Sequence, residues 1–115
     1  MPNLQLTTQV QEGIHVIRAT GYVDGEGGET LRLAVESAFA QGSQRFLLNF
    51  VSAPVINSQG ISIIFQVVET IVDQHRGRVA FVGLSKTAFM VFRNVGLLGF
   101  GNAFETEAEA LKELA

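Results

Sequence analysis

The sequence predicts an α/β fold: a single domain over residues 1–115, built on a mixed sheet of about five strands flanked by four helices. Three observations carry this. Hydrophobic spacing switches repeatedly between period two and period 3.6, so strands and helices alternate, and alternation of that kind builds a largely parallel sheet. The first two apolar stretches are separated by only Glu12-Gly13, a turn short enough to make an antiparallel hairpin. Finally, 115 residues at 47% hydrophobic and 17% charged are enough to enclose one core and too apolar to remain disordered.

The elements follow in order. Leu4, Leu6 and Val10 alternate with polar residues as in a half-buried strand, and Ile14, Val16 and Ala19 to Val23 resume it after the turn. Asp24-Gly25-Glu26-Gly27-Gly28 reads as a flexible break. From Glu29 to Gln41 the residues Leu31, Ala34, Val35, Ala38 and Phe39 line one face of a helix, which Gly42 ends. Phe46 to Val51 is a nearly continuous apolar run, as expected of a central strand covered on both faces. Val55-Ile56 is a short extended piece. A second helix opens at Asn57-Ser58-Gln59-Gly60, with Ile61, Ile64, Phe65, Val68, Ile71 and Val72 on its core face, and Gly77 ends it. Arg78 to Val82 is another buried strand. Ser85 caps a third helix lined by Ala88, Val91, Phe92 and Val95, and Glu105 to Leu114 forms a short last helix.

Composition excludes several functions. The net charge of −3 supplies no field for neutralising phosphates, so no nucleic-acid partner is expected. With no cysteine there are no disulfides, no thiolate catalysis and no Cys-based zinc site. Phe46 to Val68 carries no charge, but Asn49, Pro54, Asn57, Ser58 and Gly60 interrupt it, so it reads as strand, turn and helix rather than a membrane span. The Met1 to Gln5 start has neither a basic nor an apolar leader segment, which together with the soluble composition predicts a cytoplasmic protein.

Catalytic constellations are thin, and the chain is not expected to be an enzyme or to hold a cofactor or metal. His15 and His75 have no ligand-like spacing to a carboxylate and read as surface or edge residues. Gly25-Glu26-Gly27-Gly28 lacks the Gly-Lys-Ser/Thr ending of a phosphate loop. Gly99-Phe100-Gly101 follows a helix rather than a strand and reads as a turn. Asp24 and Glu26 are loop carboxylates, ordinarily just solvated.

One position stands out. Ser58 falls at the start of a helix, directly after Asn57 and close to Gly60, where backbone N–H groups and the positive end of the helix dipole converge on any added anion. From position alone, Ser58 or Asn57 is also an ordinary cap. On the same helix Ile63 and Val67 lie roughly 100–140° from the core-face centre, and on the third helix Phe89 and Met90 are similarly displaced. These four residues form either a contiguous partner surface or the margins of helices buried more widely by the sheet.

The motifs resemble a family. Gly21-Tyr22-Val23-Asp24 is similar to its strand-ending segment, and Phe46-Leu47-Leu48-Asn49-Phe50 to its hydrophobic central strand. Asn57-Ser58-Gln59-Gly60-Ile61 resembles its Asp-Ser-Ser-Gly-Leu phosphorylation motif. Val82-Gly83 resembles the strand exit before the third helix, and Asn94-Val95-Gly96-Leu97 the close of that helix. In that order the five segments resemble the STAS domain of anti-sigma factor antagonists over nearly the whole chain.

The resemblance implies a STAS-like fold and a switch. The unphosphorylated protein would bind an anti-sigma factor that is also a serine kinase. Phosphorylation at Ser58 would release it, and a phosphatase would reset the cycle, so that transcription is regulated indirectly. Asn57 and Gly60 would be the motif and cap residues. Helices starting at Gln59 and Lys86 would flank the contact surface, with Ile63, Val67, Phe89 and Met90 as partner-binding residues; a homodimer through that surface is a further expectation. The chain departs from the family pattern at Asn57 and Asn49, where carboxylates are common, and at Gln59, which replaces the second serine; Phe89 and Met90 stand where charges are frequent. These departures keep open an unphosphorylated STAS adaptor, a constitutive subunit of a signalling scaffold or a lipid-transport complex.

Overall fold

The computed structural model describes residues 3–115; Met1 and Pro2, part of the start on which the leader reading rests, lie outside the described residues. Two strands, β1 (Gln5–Gln11) and β2 (Ile14–Thr20), pair antiparallel in an unbroken register. Glu12 and Gly13 between them both take positive φ, 54° and 78°, the two-residue turn whose twist matches that of the strands it joins. Three crossovers then carry the chain one strand along at a time, through α1 (Gly25–Ala40), β3 (Arg45–Ser52), α2 (Ser58–Glu69), β4 (Arg78–Val82), α3 (Lys86–Val95) and β5 (Ala103–Phe104). The sheet order is β1-β2-β3-β4-β5, with every pair after the first parallel. Because each crossover moves in the same direction with the same hand, α1, α2 and α3 all land on one face. The last helix, α4 (Glu107–Leu114), covers the other.

The two faces separate by strict alternation. Ile17, Phe46, Leu48, Phe50, Val79 and Phe81 point toward the three-helix layer, while Ile14, Val16, Leu47, Ala80 and Val82 point toward Ala110 and Leu114 of α4. The run Phe46–Leu48 is fully buried, as a central strand with two covered faces must be. Phe92 of α3 meets Phe50 and Phe81 edge-on at centroid separations of 6.0 and 5.2 Å.

Several boundaries differ from the sequence reading. The Gly25–Gly28 segment is not a flexible break but the first turn of α1, capped by Asp24, whose Oδ1 accepts from the Gly27 N–H at 2.7 Å. Small residues are needed there because a Cβ on Gly28 would lie 2.8 Å from the Cβ of Ile63, across the α1–α2 contact. After α2 the helix continues as a π-helical turn over Thr70–Gln74. Val55-Ile56 contributes only an isolated bridge between Val23 and Ile56, and the fifth strand is instead Ala103–Phe104, too short to show a period. Val95, expected on the core face of α3, is exposed in the last turn.

His15 also departs from its reading as a surface or edge residue. It is only 6% exposed, tilted against the Phe46 ring, and its Nδ1 lies 3.3 Å from the Ser43 hydroxyl. Burial holds its pKa below the usual 6.5. His75 is exposed, with its ring stacked on Phe39 at 3.7 Å.

Candidate functional site

The site begins with a cap. Asn57 sits in extended backbone at φ −84°, and its Oδ1 accepts from the Gly60 N–H at 2.8 Å. That leaves Ser58, the first residue of α2, exposed and with its hydroxyl unbonded among the described residues. Asn57 is thus the capping residue and Ser58 is not. The Asn57 N–H donates to the Val23 carbonyl, tying this corner to the strand-exit segment. Gly60 is obligatory at the same place, since a Cβ there would collide with that same Val23 carbonyl oxygen.

The Pro54-Val55-Ile56 segment that leads into this corner, together with Ile61 in the first turn of α2, lines one side of an apolar groove of about 330 Å³, and Thr87, Ala88 and Val91 of α3 line the other. Ser85 closes one end, its hydroxyl donating to the Pro54 carbonyl at 2.9 Å and accepting from the Ala88 N–H at 3.1 Å. The sequence reading missed this groove. Its signal was the apolar Pro54-Val55-Ile56 segment just before the cap, where a loop ordinarily carries polar residues.

The four residues expected to form one patch divide. Val67 is 3% exposed and faces α1, beside Val35 and Phe39, while Ile63 packs against Gly28. Val67 is therefore closed to a partner, whereas Ile63 stays partly exposed. Arg32 of α1 also reaches across to Gln66 at 2.7 Å, closing the seam between the helices. Phe89 and Met90, by contrast, are 39% and 46% exposed. Phe89 lines a second groove, with Leu84, Ala103 and Phe104, on the opposite flank of α3 from Val91.

Asn49 does not belong to the site at all. It lies on the α4 face, donating to Glu107 Oε2 at 2.6 Å and accepting from the Val51 N–H at 2.9 Å. Glu107 is gripped bidentately by Arg18 at 2.7 and 2.8 Å, and these hydrogen bonds, Arg18 first, hold its pKa below the usual 4.5. A second carboxylate at position 49 would face Glu107 directly, so the amide is what this neighbour requires. Among the described residues no group of acidic or histidine side chains is arranged to hold a metal ion, and no helix is long and apolar enough to cross a membrane.

The comparisons agree with the geometry. The STAS domain family matches residues 5–110. The chain belongs to this family. No curated protein sequence matches it significantly. Among solved structures, the STAS domain here is similar to the Bacillus cell fate determinant SpoIIAA in the phosphorylated form, at 26% identity and TM-score 0.73, covering 97% of this chain and 99% of that one. It is similar to the anti-sigma factor antagonist SpoIIAA in its unphosphorylated form, at 25% identity and TM-score 0.71 with 96% of each chain covered. An anti-sigma factor antagonist from Mycobacterium paratuberculosis shares the fold at TM-score 0.83 and 15% identity, over 97% of this chain and 94% of that one.

Proposed function

We propose that this STAS domain is an anti-sigma factor antagonist that works by partner switching, with Ser58 as the phosphate acceptor. The observation that carries the reading is the division of labour at the mouth of α2: Asn57 caps the helix, so the neighbouring hydroxyl stays exposed and, among the described residues, unbonded, in the chain segment between Ile56 and Ile61 of the apolar groove. The similarity to SpoIIAA, described in phosphorylated and unphosphorylated forms, supports it. The partner is an anti-sigma factor with serine kinase activity, and a phosphatase completes the cycle. The anti-sigma factor docks over Ser58 and the groove between Ile61 and Val91, with Phe89 and Met90 extending the contact across α3.

A phosphate on Ser58 adds about −1.5 to −2 charges. The start of α2 stabilises that charge in the free protein through its N–H groups. A docked apolar partner strips water from it and offers nothing in return, at a cost of several kcal/mol. Each ~1.4 kcal/mol is tenfold in affinity, so release by a hundredfold or more needs no change of fold. Replacing Asp by Asn at position 57 keeps the cap and removes one charge beside the acceptor, which alters how a kinase reads the motif.

The test starts from the protein purified from its own host with its companions. A mass gain of one phosphate mapped to Ser58, and binding of the kinase companion weakened at least a hundredfold by Ser58→Asp but kept by Ser58→Ala, are expected. Equal affinity of the Ser58→Asp protein, or an unmodified protein held in a multi-subunit membrane complex, would replace the switch with the adaptor.

A further inference from the structure

The two edges of the sheet are unlike. One is β5, two residues long and followed at once by the capped α4. The other is β1, Gln5-Leu6-Thr7-Thr8-Gln9-Val10-Gln11, seven residues with no charge, no proline and no bulge in its pairing. Natural edge strands are normally blunted by such devices, because an open row of N–H and C=O groups is a template for another strand.

Which groups face outward follows from the turn. The residues flanking a two-residue hairpin turn form a hydrogen-bonded pair, and such pairs alternate along an antiparallel ladder. Gln11 with Ile14, Gln9 with Val16, Thr7 with Arg18 and Gln5 with Thr20 therefore bond inward. The backbone N–H and C=O of Leu6, Thr8 and Val10 point off the edge, and among the described residues nothing bonds to them.

We propose that this edge pairs with the same edge of a second copy of the chain, antiparallel and centred on Thr8, to make one continuous sheet across a twofold axis. The strand is its own complement in that register. Thr8 stands opposite Thr8, and Leu6 opposite Val10, all on the sheet face that bears α1. On the other face Thr7 meets Gln9 and Gln5 meets Gln11, so no like charges oppose each other anywhere along the strand. The exposed Val10, which pairs with His15 in its own chain, gains an apolar cross-strand neighbour. A single strand pair is a small interface, in the weak class below ~1,200 Å². β1 is the edge beyond β2, whereas Ser58 opens the helix that crosses from β3 to β4, so the pairing is independent of the switch.

The chain lacks cysteine, so a single introduced thiol reports position cleanly. In the proposed register the two Thr8 Cα atoms sit about 5.5 Å apart, within disulfide reach. Under mild oxidation Thr8→Cys is expected to cross-link at least tenfold faster than Val10→Cys, whereas a mixture of Leu6→Cys and Val10→Cys yields the mixed dimer. Equal rates for Thr8→Cys and Val10→Cys, or no cross-linking by Thr8→Cys, would overturn the register. Sedimentation equilibrium supplies the second arm. The wild-type mass is expected to rise with concentration and that of Thr8→Pro to stay monomeric, since this proline removes only an outward N–H and leaves the ladder to β2 intact. A wild-type mass that does not rise, or a Thr8→Pro protein that sediments like it, would defeat the proposal.

Discussion

Ile63 and Val67 on α2 and Phe89 and Met90 on α3 carry the same mark in the sequence: large apolar side chains well off the stripe that faces the sheet. Their fates are opposite. Along its flank α2 meets α1, which seals Val67 at 3% exposure and seats Ile63 on Gly28. Phe89 lies on the flank of α3 turned away from Val91 and α2, and it and Met90 remain 39% and 46% exposed. Helical periodicity locates a side chain relative to its own axis. Whether the space there holds a neighbour depends on where another crossover lands, and that is a property of the sheet order.

The sharpest way to break this contrast is to charge each position in turn. Val67→Asp buries an unpaired carboxylate between two helices and is expected to cost about 3 kcal/mol or more, read as a loss in the urea midpoint. Met90→Asp should stay within about 0.5 kcal/mol of wild type in the same titration. Comparable losses at both positions would mean that the α3 flank is covered after all.

A smaller effect probes the seam alone. Gly28→Ala places a methyl group against the branched carbon of Ile63 and should cost about 1–3 kcal/mol by prying α1 from α2. Pairing it with Ile63→Ala relieves the clash, so the double variant should lose less than the two single losses added together.

The smallest expected effect extends the contrast to the two histidines, which the sequence marks alike. Burial lowers the pKa of His15, so the unfolded chain takes up a proton first as pH falls. Stability from this group is complete above its usual 6.5 and is lost as pH drops from there through the lowered folded value. His15→Gln should flatten that part of the stability–pH curve. Protonation of Glu107, whose pKa lies below its usual 4.5, acts in a separate and lower window.

Much of the fold was legible before the structure. Strand and helix periods, the Glu12-Gly13 turn, the doubly covered Phe46–Leu48 run and the capping character of Asn57 are local features, each fixed within a few residues. What escaped was short or long-range. The Gly25–Gly28 turn reads as a loop until Ile63 explains why it must be bare of side chains. Ala103–Phe104 is too brief for any period to reveal. Asn49 looks like a lost carboxylate of the candidate site until Glu107, far along the chain, is seen beside it on the opposite face of the sheet.

By itself the sequence determined the order of the longer elements, the alternation along the first strands and the placement of a serine at the first turn of a helix, because these depend on neighbours within one or two turns. Only the tertiary structure decided which apolar flank is covered, which histidine is dry, that Asn57 rather than Ser58 caps α2, and what lines the groove between Ile61 and α3. Those follow from crossovers of constant hand that stack α1 against α2 along one face and put α3 last in the row, with its Phe89 flank turned away from α2.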